Sequence, residues 1–217
     1  MNLAESTVMN AIEHSMSKNC YANIVLAGPI GVGKRSMATG IAKWLNAVTF
    51  DKTVSVFSEE DYLKDYYSIS LNHFGGKDID SLGAYSIRSY LDDANSFVNE
   101  EYEHVRIPRD LEKEPQKVEN IYGLKPKGKV KIFTGPHAIW LLKASKEVEI
   151  PNAIYIFMNA DLKKCIQRRI QNSIMIPDMP EDDATSWEAY YDYVIAENER
   201  YILPQMKMAD IVVNIDL

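Results

Sequence analysis

One stretch of the chain has the residue types and the spacing of a phosphate-binding loop. The pattern G-x-x-x-x-G-K is met by seven consecutive residues: Gly28, Pro29, Ile30, Gly31, Val32, Gly33 and Lys34. In such a loop the backbone N–H groups and the N-terminus of the following helix converge on a phosphate, and the lysine ammonium adds charge near the terminal phosphates. Glycines permit the turn and the close approach of the backbone. The stretch predicts nucleotide binding; an ordinary glycine turn is the alternative.

The residues that follow the lysine depart from this pattern. The motif has Ser or Thr at that position to ligate magnesium, but here the position is Arg35 and the first hydroxyl is that of Ser36. A guanidinium cannot ligate a cation, because it only donates hydrogen bonds and is permanently charged. We assign Ser36 as the metal ligand and both residues to the nucleotide site. Pairing of Arg35 with phosphate oxygens, without a metal, is the alternative.

Two further groups of charged residues could act on a bound phosphate. An acidic cluster, residues 59–61, follows a predicted strand over 53–57, and ligands of parallel sheets bind at the carboxyl ends of strands. The alternative is a solvated helix start, because acidic residues also favour a first turn. Arg168 and Arg169 lie on a predicted helix that Asp161 caps, and adjacent helical residues point in different directions. At most one arginine need face a phosphate, and both could lie on a solvated surface.

The elements around the loop supply the context that the motif requires. The apolar residues 24–26 predict a buried strand before it, and apolar residues at helical spacing predict a helix over 34–46. Further strands are predicted over 130–134, 153–158 and 211–215, and further helices over 5–16, 79–97, 138–146 and 187–203. Because strands alternate with helices, we predict an α/β fold: a doubly wound, mainly parallel sheet with helices on both faces.

Length and composition limit the remaining possibilities. A chain of 217 residues suits a single domain over 1–217, with an N-terminal helix within 1–19 and a substrate hairpin or lip over 100–129. The net charge of −7 argues against nucleic acid or an anionic membrane as a partner. Without a long apolar run or a leader pattern we expect a cytoplasmic protein. Cys20 and Cys165 are expected to be unpaired thiols.

In these motifs the chain resembles the uridine kinase and phosphoribulokinase group of P-loop kinases. The loop at 28–34 is similar to the ATP-binding loop of that family. The segment 60–65 is similar to the one that carries a catalytic Asp, with Glu60 at the Asp position. The segment 163–170 resembles the lid helix, which gives a lid region over 161–185. The resemblance covers most of the chain, since 199–213 is similar to the family's closing helix and strand.

The resemblance implies ATP and Mg²⁺ as cofactors and a role for each candidate residue. Lys34 would bind the β- and γ-phosphates, and Glu60 would orient or deprotonate the acceptor hydroxyl. Arg168 or Arg169 would stabilise charge on the transferring group. Within the acidic cluster, Glu59 and Asp61 are the competing candidates for the role of Glu60.

The departures from the family concern the acceptor and the metal more than the nucleotide. Residues 74–76 and 109–112 replace the triplet and the aromatics of the uridine site, which is therefore not carried over. Thr134-Gly135 replaces a strand-end Glu-Gly, and Asn172 replaces a lid arginine. We predict a kinase: an ATP-dependent phosphotransferase that acts on a hydroxyl of an unidentified small molecule. The sequence leaves open whether the protein forms a homo-oligomer. The alternative is a degenerate nucleotide-binding module that acts through a partner.

Overall fold

A computed structural model of the chain describes residues 3–48, 54–64, 68–71, 78, 81–99, 104–106, 120–122, 129–145, 147–171 and 184–217. Within these ranges the strands are β1 (Ala22–Ala27), β2 (Val54–Ser58), β3 (His104–Arg106), β4 (Asn120–Tyr122), β5 (Val130–Thr134), β6 (Ala153–Asn159) and β7 (Ile211–Asn214). Five of them form one sheet in the order β2-β5-β1-β6-β7, and every neighbouring pair is parallel. β3 pairs with β4 antiparallel in a separate sheet.

Helices cover both faces of the parallel sheet, as predicted. The α-helices are α1 (Leu3–Asn19), α2 (Lys34–Val48), α3 (Ile87–Asn99), α4 (Leu162–Gln171) and α5 (Ala184–Glu197). One apolar core packs α1 and α2 against the sheet, and a second core on the opposite face packs α3 and the helical turn Trp140–Ala144 against it. The predicted doubly wound α/β architecture is confirmed.

The central strand β1, which leads into the glycine loop, is buried on both faces. All six residues of β1 are buried, because β5 and β6 flank it and helices cover both of its faces. Ile24 and Leu26 belong to the core with α1 and α2, whereas Val25 and Ala27 belong to the opposite core. A strand that is buried on both faces reads as a continuous apolar run, which the sequence shows. The glycine loop therefore starts from a fully buried strand in the centre of the sheet.

Three predicted helix boundaries are wrong, each where the chain makes a different kind of turn. The helix predicted over 79–97 starts only at Ile87, because Leu82–Ala84 is a 3-10 turn and Tyr85 is extended and bridges to Leu63. The helix predicted over 138–146 ends at Ala144 in a π-helical turn. The helix predicted over 187–203 corresponds to α5, but α5 ends at Glu197. The chain then continues as a π-helical turn and a 3-10 turn.

Two further expectations can be compared with the described residues. Cys20 is exposed, Cys165 is buried, and both are free thiols, as predicted. Among the described residues, none of the helices combines the length and the apolar character that a membrane-spanning segment needs.

Candidate phosphate-binding site

The loop after β1 has three glycines with positive φ, and at two of them a Cβ atom would also collide with the backbone of a neighbouring element. Gly28 has φ +148° and Gly31 has φ +91°, conformations that other residues rarely adopt. A Cβ atom on Gly28 would collide with the carbonyl oxygen of Met158, at the end of β6, and one on Gly31 with that of Cys165 on α4. The glycines of the motif therefore let the loop pack directly against two neighbouring elements.

Lys34 closes this loop with a buried ammonium group. The residue is 3% exposed, and its Nζ donates hydrogen bonds to the carbonyl oxygens of Gly28 (3.1 Å) and Pro29 (3.0 Å). Burial lowers the pKa of Lys34, and the negative charges of Glu60 and Glu59 act in the opposite direction. The first turn of α2 starts at this lysine, so its N-terminal N–H groups lie next to the ammonium.

The two arginines of the predicted lid helix both lie near the loop. The guanidinium of Arg168, an exposed residue, is 3.6 Å from the position that a Cβ atom on Gly33 would take. Arg169 is buried, and its charge is close enough to lower the pKa of Lys34. Asp161 caps α4, because its carboxylate accepts the N–H of Lys164 at 3.0 Å. The cap and the packing at Gly31 hold α4 beside the loop.

Glu60 lies at the carboxyl end of β2, in the 3-10 turn Glu59–Tyr62. Among the charges that raise the pKa of Lys34, that of Glu60 has the largest effect, so the two side chains are near one another. The carboxylate of Glu60 has no hydrogen bond or ion pair to any residue that the structure describes. The structure thus brings the predicted base to the loop and leaves its oxygens without a protein partner in the described part of the chain.

The sequence did not predict the contact that holds this turn. Glu59 is fully buried and accepts two hydrogen bonds from His137, one from the backbone N–H (2.9 Å) and one from Nδ1 (2.7 Å). His137 follows β5, which is the neighbour of β2 in the sheet. The pair joins residues 78 positions apart, so local sequence patterns carried no signal for it apart from the doubled glutamate.

Arg35 is paired with the third member of the acidic cluster. Its Nη2 lies 3.4 Å from Oδ1 of Asp61, with the Arg35 side chain 43% exposed and that of Asp61 13% exposed. Burial raises the pKa of Asp61 to about 6, although the charge of Arg35 opposes this and that of Glu60 adds to it. The guanidinium at the unusual motif position is therefore directed towards Asp61.

Oxygen atoms that could serve a metal are present, although they form no closed cage. Ser36, the predicted ligand, is exposed on the first turn of α2. Ser58 and Thr134 are register partners at the ends of β2 and β5, and both hydroxyls are buried without a hydrogen-bond partner in the described residues. No group of three or more His, Cys, Asp or Glu residues suited to a metal occurs in the ranges that the structure covers.

The remaining predicted residues divide into those that lie in the loop and those outside the described ranges. Val32 donates its N–H to the carbonyl of Pro29 (3.3 Å), which closes a turn within the loop, and Ile30 lies between them. Cys165, against the loop, has its pKa raised to about 11, chiefly by burial. The departures at 74–76, 109–112 and Asn172 lie outside the described residues.

Comparison with solved structures supports the fold, whereas two comparisons of the sequence found no match. No family model and no curated protein sequence matches the chain. The solved structure of the YGR205w protein superposes with a TM-score of 0.68 over 100% of this chain and 95% of that one, at 14% identity. A proposed fructose transport system kinase from Silicibacter sp. TM1040 gives 0.54 over 98% and 100%, also at 14% identity.

A third solved structure matches the resemblance that the sequence suggested. A possible uridine kinase from Bacillus stearothermophilus superposes with a TM-score of 0.50 over 95% of this chain and 98% of that one, at 15% identity. At such identities the likeness concerns the fold and not the activity. The glycine loop after the central parallel strand and the agreement along nearly the whole chain confirm that this protein has the fold of the P-loop kinases.

Proposed function

We propose that the chain is a phosphotransferase that moves the terminal phosphoryl group of ATP to a hydroxyl of a small molecule. The observation that carries the proposal is the buried ammonium of Lys34, held by two carbonyls of the loop itself. Burying an ammonium is costly unless it is well paired, and neutral carbonyls compensate it only in part. A phosphate in the loop would supply the opposite charge where N–H groups of the loop and α2 also converge.

The residues around the loop support a transfer reaction and not only binding. In the proposed step the acceptor oxygen bonds to the γ-phosphorus, the bond from that phosphorus to the β,γ-bridging oxygen breaks, and ADP leaves. The proton of the acceptor hydroxyl passes to Glu60, whose carboxylate has no partner among the described residues. Arg168, whose guanidinium lies beside Gly33, would stabilise negative charge on the transferring group.

The oxygen atoms at this edge of the sheet fit magnesium that is held mainly by the nucleotide. Magnesium in kinase sites keeps several waters and binds substrate phosphates together with few protein groups, so a closed protein cage is not needed. Ser36 remains the predicted direct ligand of the ion. The hydroxyls of Ser58 and Thr134, which have no partner among the described residues, are suited to hold a water molecule bound to the magnesium. When bound, the ion would neutralise charge on the phosphates.

A second candidate function is a nucleotide-binding module without transfer, and the Arg35–Asp61 contact favours it. Arg35 carries a fixed positive charge at the motif position that usually serves the metal, and its contact with Asp61 holds that charge near the start of α2. A guanidinium there could bind phosphate oxygens directly, which would give nucleotide binding that does not depend on magnesium.

A phosphoryl-transfer screen separates the two functions. The protein would be mixed with ATP, magnesium and hydroxyl compounds that include nucleosides, sugars and pantothenate, and ADP formation would be measured. The phosphotransferase predicts turnover of at least one acceptor, absent in Glu60→Gln and retained in the exposed control Glu149→Gln. ATP binding without turnover across the screen would favour the module. Failure of the protein to bind ATP, measured by calorimetry, would contradict both.

A further inference from the structure

The pair formed by Glu59 and His137 has no role in the proposed reaction. It lies next to Glu60, the proposed base. Both carboxylate oxygens of Glu59 are used: Oε2 accepts the backbone N–H of His137 and Oε1 contacts Nδ1. Neither side chain has solvent-exposed surface. A buried carboxylate persists only when it is fully hydrogen-bonded, so this contact is a strong constraint on the ends of β2 and β5.

The backbone around the pair is shaped to accommodate it. A Cβ atom on Gly135 would collide with the side chain of Glu59, so the absence of a side chain at 135 is what leaves room for the carboxylate. The imidazole of His137 packs edge-on against the ring of Tyr85, with centroids 5.8 Å apart. Glycine, glutamate and histidine thus form one unit, and it links two neighbouring strands at the edge where ligands of parallel sheets bind.

The turn that carries Glu60 is fixed on both sides of that residue. Glu59 anchors the turn to β5 through His137. On the other side, the backbone carbonyl of Tyr62 accepts the N–H of Ser86 (2.8 Å), and the N–H of Lys64 donates to the carbonyl of Ala84 (2.8 Å). Glu60 itself has no bond from its carboxylate to any described residue, so within the described part of the chain this backbone sets its location.

We propose that Glu59 and His137 are positioning residues, and that their hydrogen-bond geometry, not the charge of Glu59, fixes the turn that presents Glu60 to the phosphate loop. Both side chains are fully buried, so they act through the backbone that they hold and not by contact with a ligand. The inference rests on the proposed function for its effect on turnover, whereas its effect on the order of the turn is independent of any activity. Misplacement of a reacting group by about 1 Å can cost on the order of a hundredfold in rate, so such a pair can control turnover from behind the site.

Substitutions of Glu59 distinguish geometry from charge. In Glu59→Gln the amide oxygen can accept the backbone N–H of His137, and the NH₂ group can donate to Nδ1 once the imidazole adopts its Nε2–H tautomer. Glu59→Leu removes both bonds at similar volume. His137→Phe keeps the backbone donor and the ring volume but removes Nδ1. Two exposed residues supply matched controls, Glu149→Leu and His14→Phe.

The first measurement is amide hydrogen exchange of a peptide that covers 58–64, with a peptide from α2 as internal reference. We expect exchange over 58–64 to be at least about tenfold faster in Glu59→Leu and His137→Phe, because Glu59→Leu leaves the backbone N–H and Nδ1 of His137 without their acceptors and His137→Phe leaves Oε1 of Glu59 without its donor. Glu59→Gln and the two controls should remain within about threefold of the wild type. Should Glu59→Leu fail to fold, the comparison of Glu59→Gln with His137→Phe decides.

The second measurement is steady-state phosphoryl transfer from ATP with magnesium. We expect kcat to fall by about a hundredfold in His137→Phe and Glu59→Leu with the KM for ATP unchanged, and Glu59→Gln to retain kcat within about threefold. Equal losses in Glu59→Gln and Glu59→Leu would overturn the proposal, because the charge would then matter. Unchanged exchange over 58–64 in His137→Phe would also overturn it. A wild type without transfer but with the expected exchange pattern would contradict the proposed function alone.

Discussion

The carboxyl end of β1 and the carboxyl ends of β2 and β5 both contribute to the candidate site, but they are built in different ways. At β1 the backbone makes the site: glycines at 28 and 31 let the loop pack against Met158 and Cys165, and the ammonium of Lys34 bonds to loop carbonyls. At β2 and β5 side chains make it: Glu59 and His137 bond to each other across two strands.

This difference determines which amino-acid substitutions each region can tolerate. A backbone site depends on conformations that glycine alone adopts, so its residue types are dictated locally. A site held by a buried side-chain pair depends on two distant residues at once, and removal of one leaves the other buried without its partner. The two regions should therefore respond differently to substitution.

Glu60→Gln should have the largest effect, and on turnover alone. A positioned general base typically contributes on the order of a hundredfold to ten-thousandfold, so we expect a loss in kcat of about a thousandfold. ATP affinity should stay within about twofold, since a base acts on the acceptor and not on the nucleotide. Calorimetry and initial rates on the same preparation check both statements. Full turnover in Glu60→Gln together with none in Asp61→Asn would move the base to Asp61.

Gly28→Ala and Gly135→Ala compare the two regions directly. Each new methyl group meets an occupied position, the carbonyl of Met158 in the first case and the side chain of Glu59 in the second. We expect each to lower the free energy of unfolding by about 2–3 kcal/mol, measured by urea denaturation. At Gly40, on α2, a Cβ meets nothing within 4 Å, so Gly40→Ala should stabilise by about 1 kcal/mol.

The same two variants differ in the function that they should lose. Gly28→Ala should abolish detectable ATP binding, because the loop backbone itself is displaced. Gly135→Ala should leave ATP affinity nearly unchanged and reduce turnover, because it disturbs only the turn with Glu60. Equal loss of ATP affinity in both variants would show that the two regions are one mechanical unit and that our distinction is wrong.

The contrast between the regions also sets what the sequence could predict. The run of buried residues in β1 and the glycine loop are local patterns, and both were predicted. The Glu59–His137 pair was not, because its members are separated by 78 residues and neither is unusual in its own neighbourhood. The helix start at Ile87 was missed for a related reason: Tyr85 is held extended by a bridge to Leu63, a contact with no local signature.

Lys34→Met should separate binding from stability. The ammonium is buried and burial lowers its pKa, so its presence in the unliganded protein carries a desolvation cost. We expect ATP affinity to fall about tenfold to a hundredfold, which is the range for a lost hydrogen bond to a charged group. The free energy of unfolding without ATP should be equal to or greater than that of the wild type. Lys43→Met is the control, because Lys43 lies on the same helix, away from the loop.

Asp61 should affect the free energy of unfolding, and by an amount that depends on pH. Burial raises its pKa from 3.8 to about 6 in the folded protein, so the folded state binds a proton that the unfolded state releases over that interval. Stability contributed by this group therefore increases as pH falls from about 6 to about 4, and above pH 6 the ionised side chain is a net cost. Asp61→Asn, which carries no charge at any pH, removes that cost. It should be more stable than the wild type by on the order of 2 kcal/mol near pH 7.5, with the difference shrinking to nearly nothing at pH 4.

Arg35→Ser sharpens the same measurement and returns to the unusual motif position. The charge of Arg35 opposes the effect of burial on Asp61, so its removal should raise the pKa of Asp61 further and move the pH-dependent interval upward. Urea denaturation of the wild type, Asp61→Asn and Arg35→Ser between pH 4 and pH 8 gives the three curves. A difference between wild type and Asp61→Asn that does not vary with pH would mean that Asp61 keeps an ordinary pKa. If Arg35→Ser also makes ATP binding depend on magnesium where the wild type does not, the guanidinium has been replacing the metal, and the binding-module function gains over the kinase.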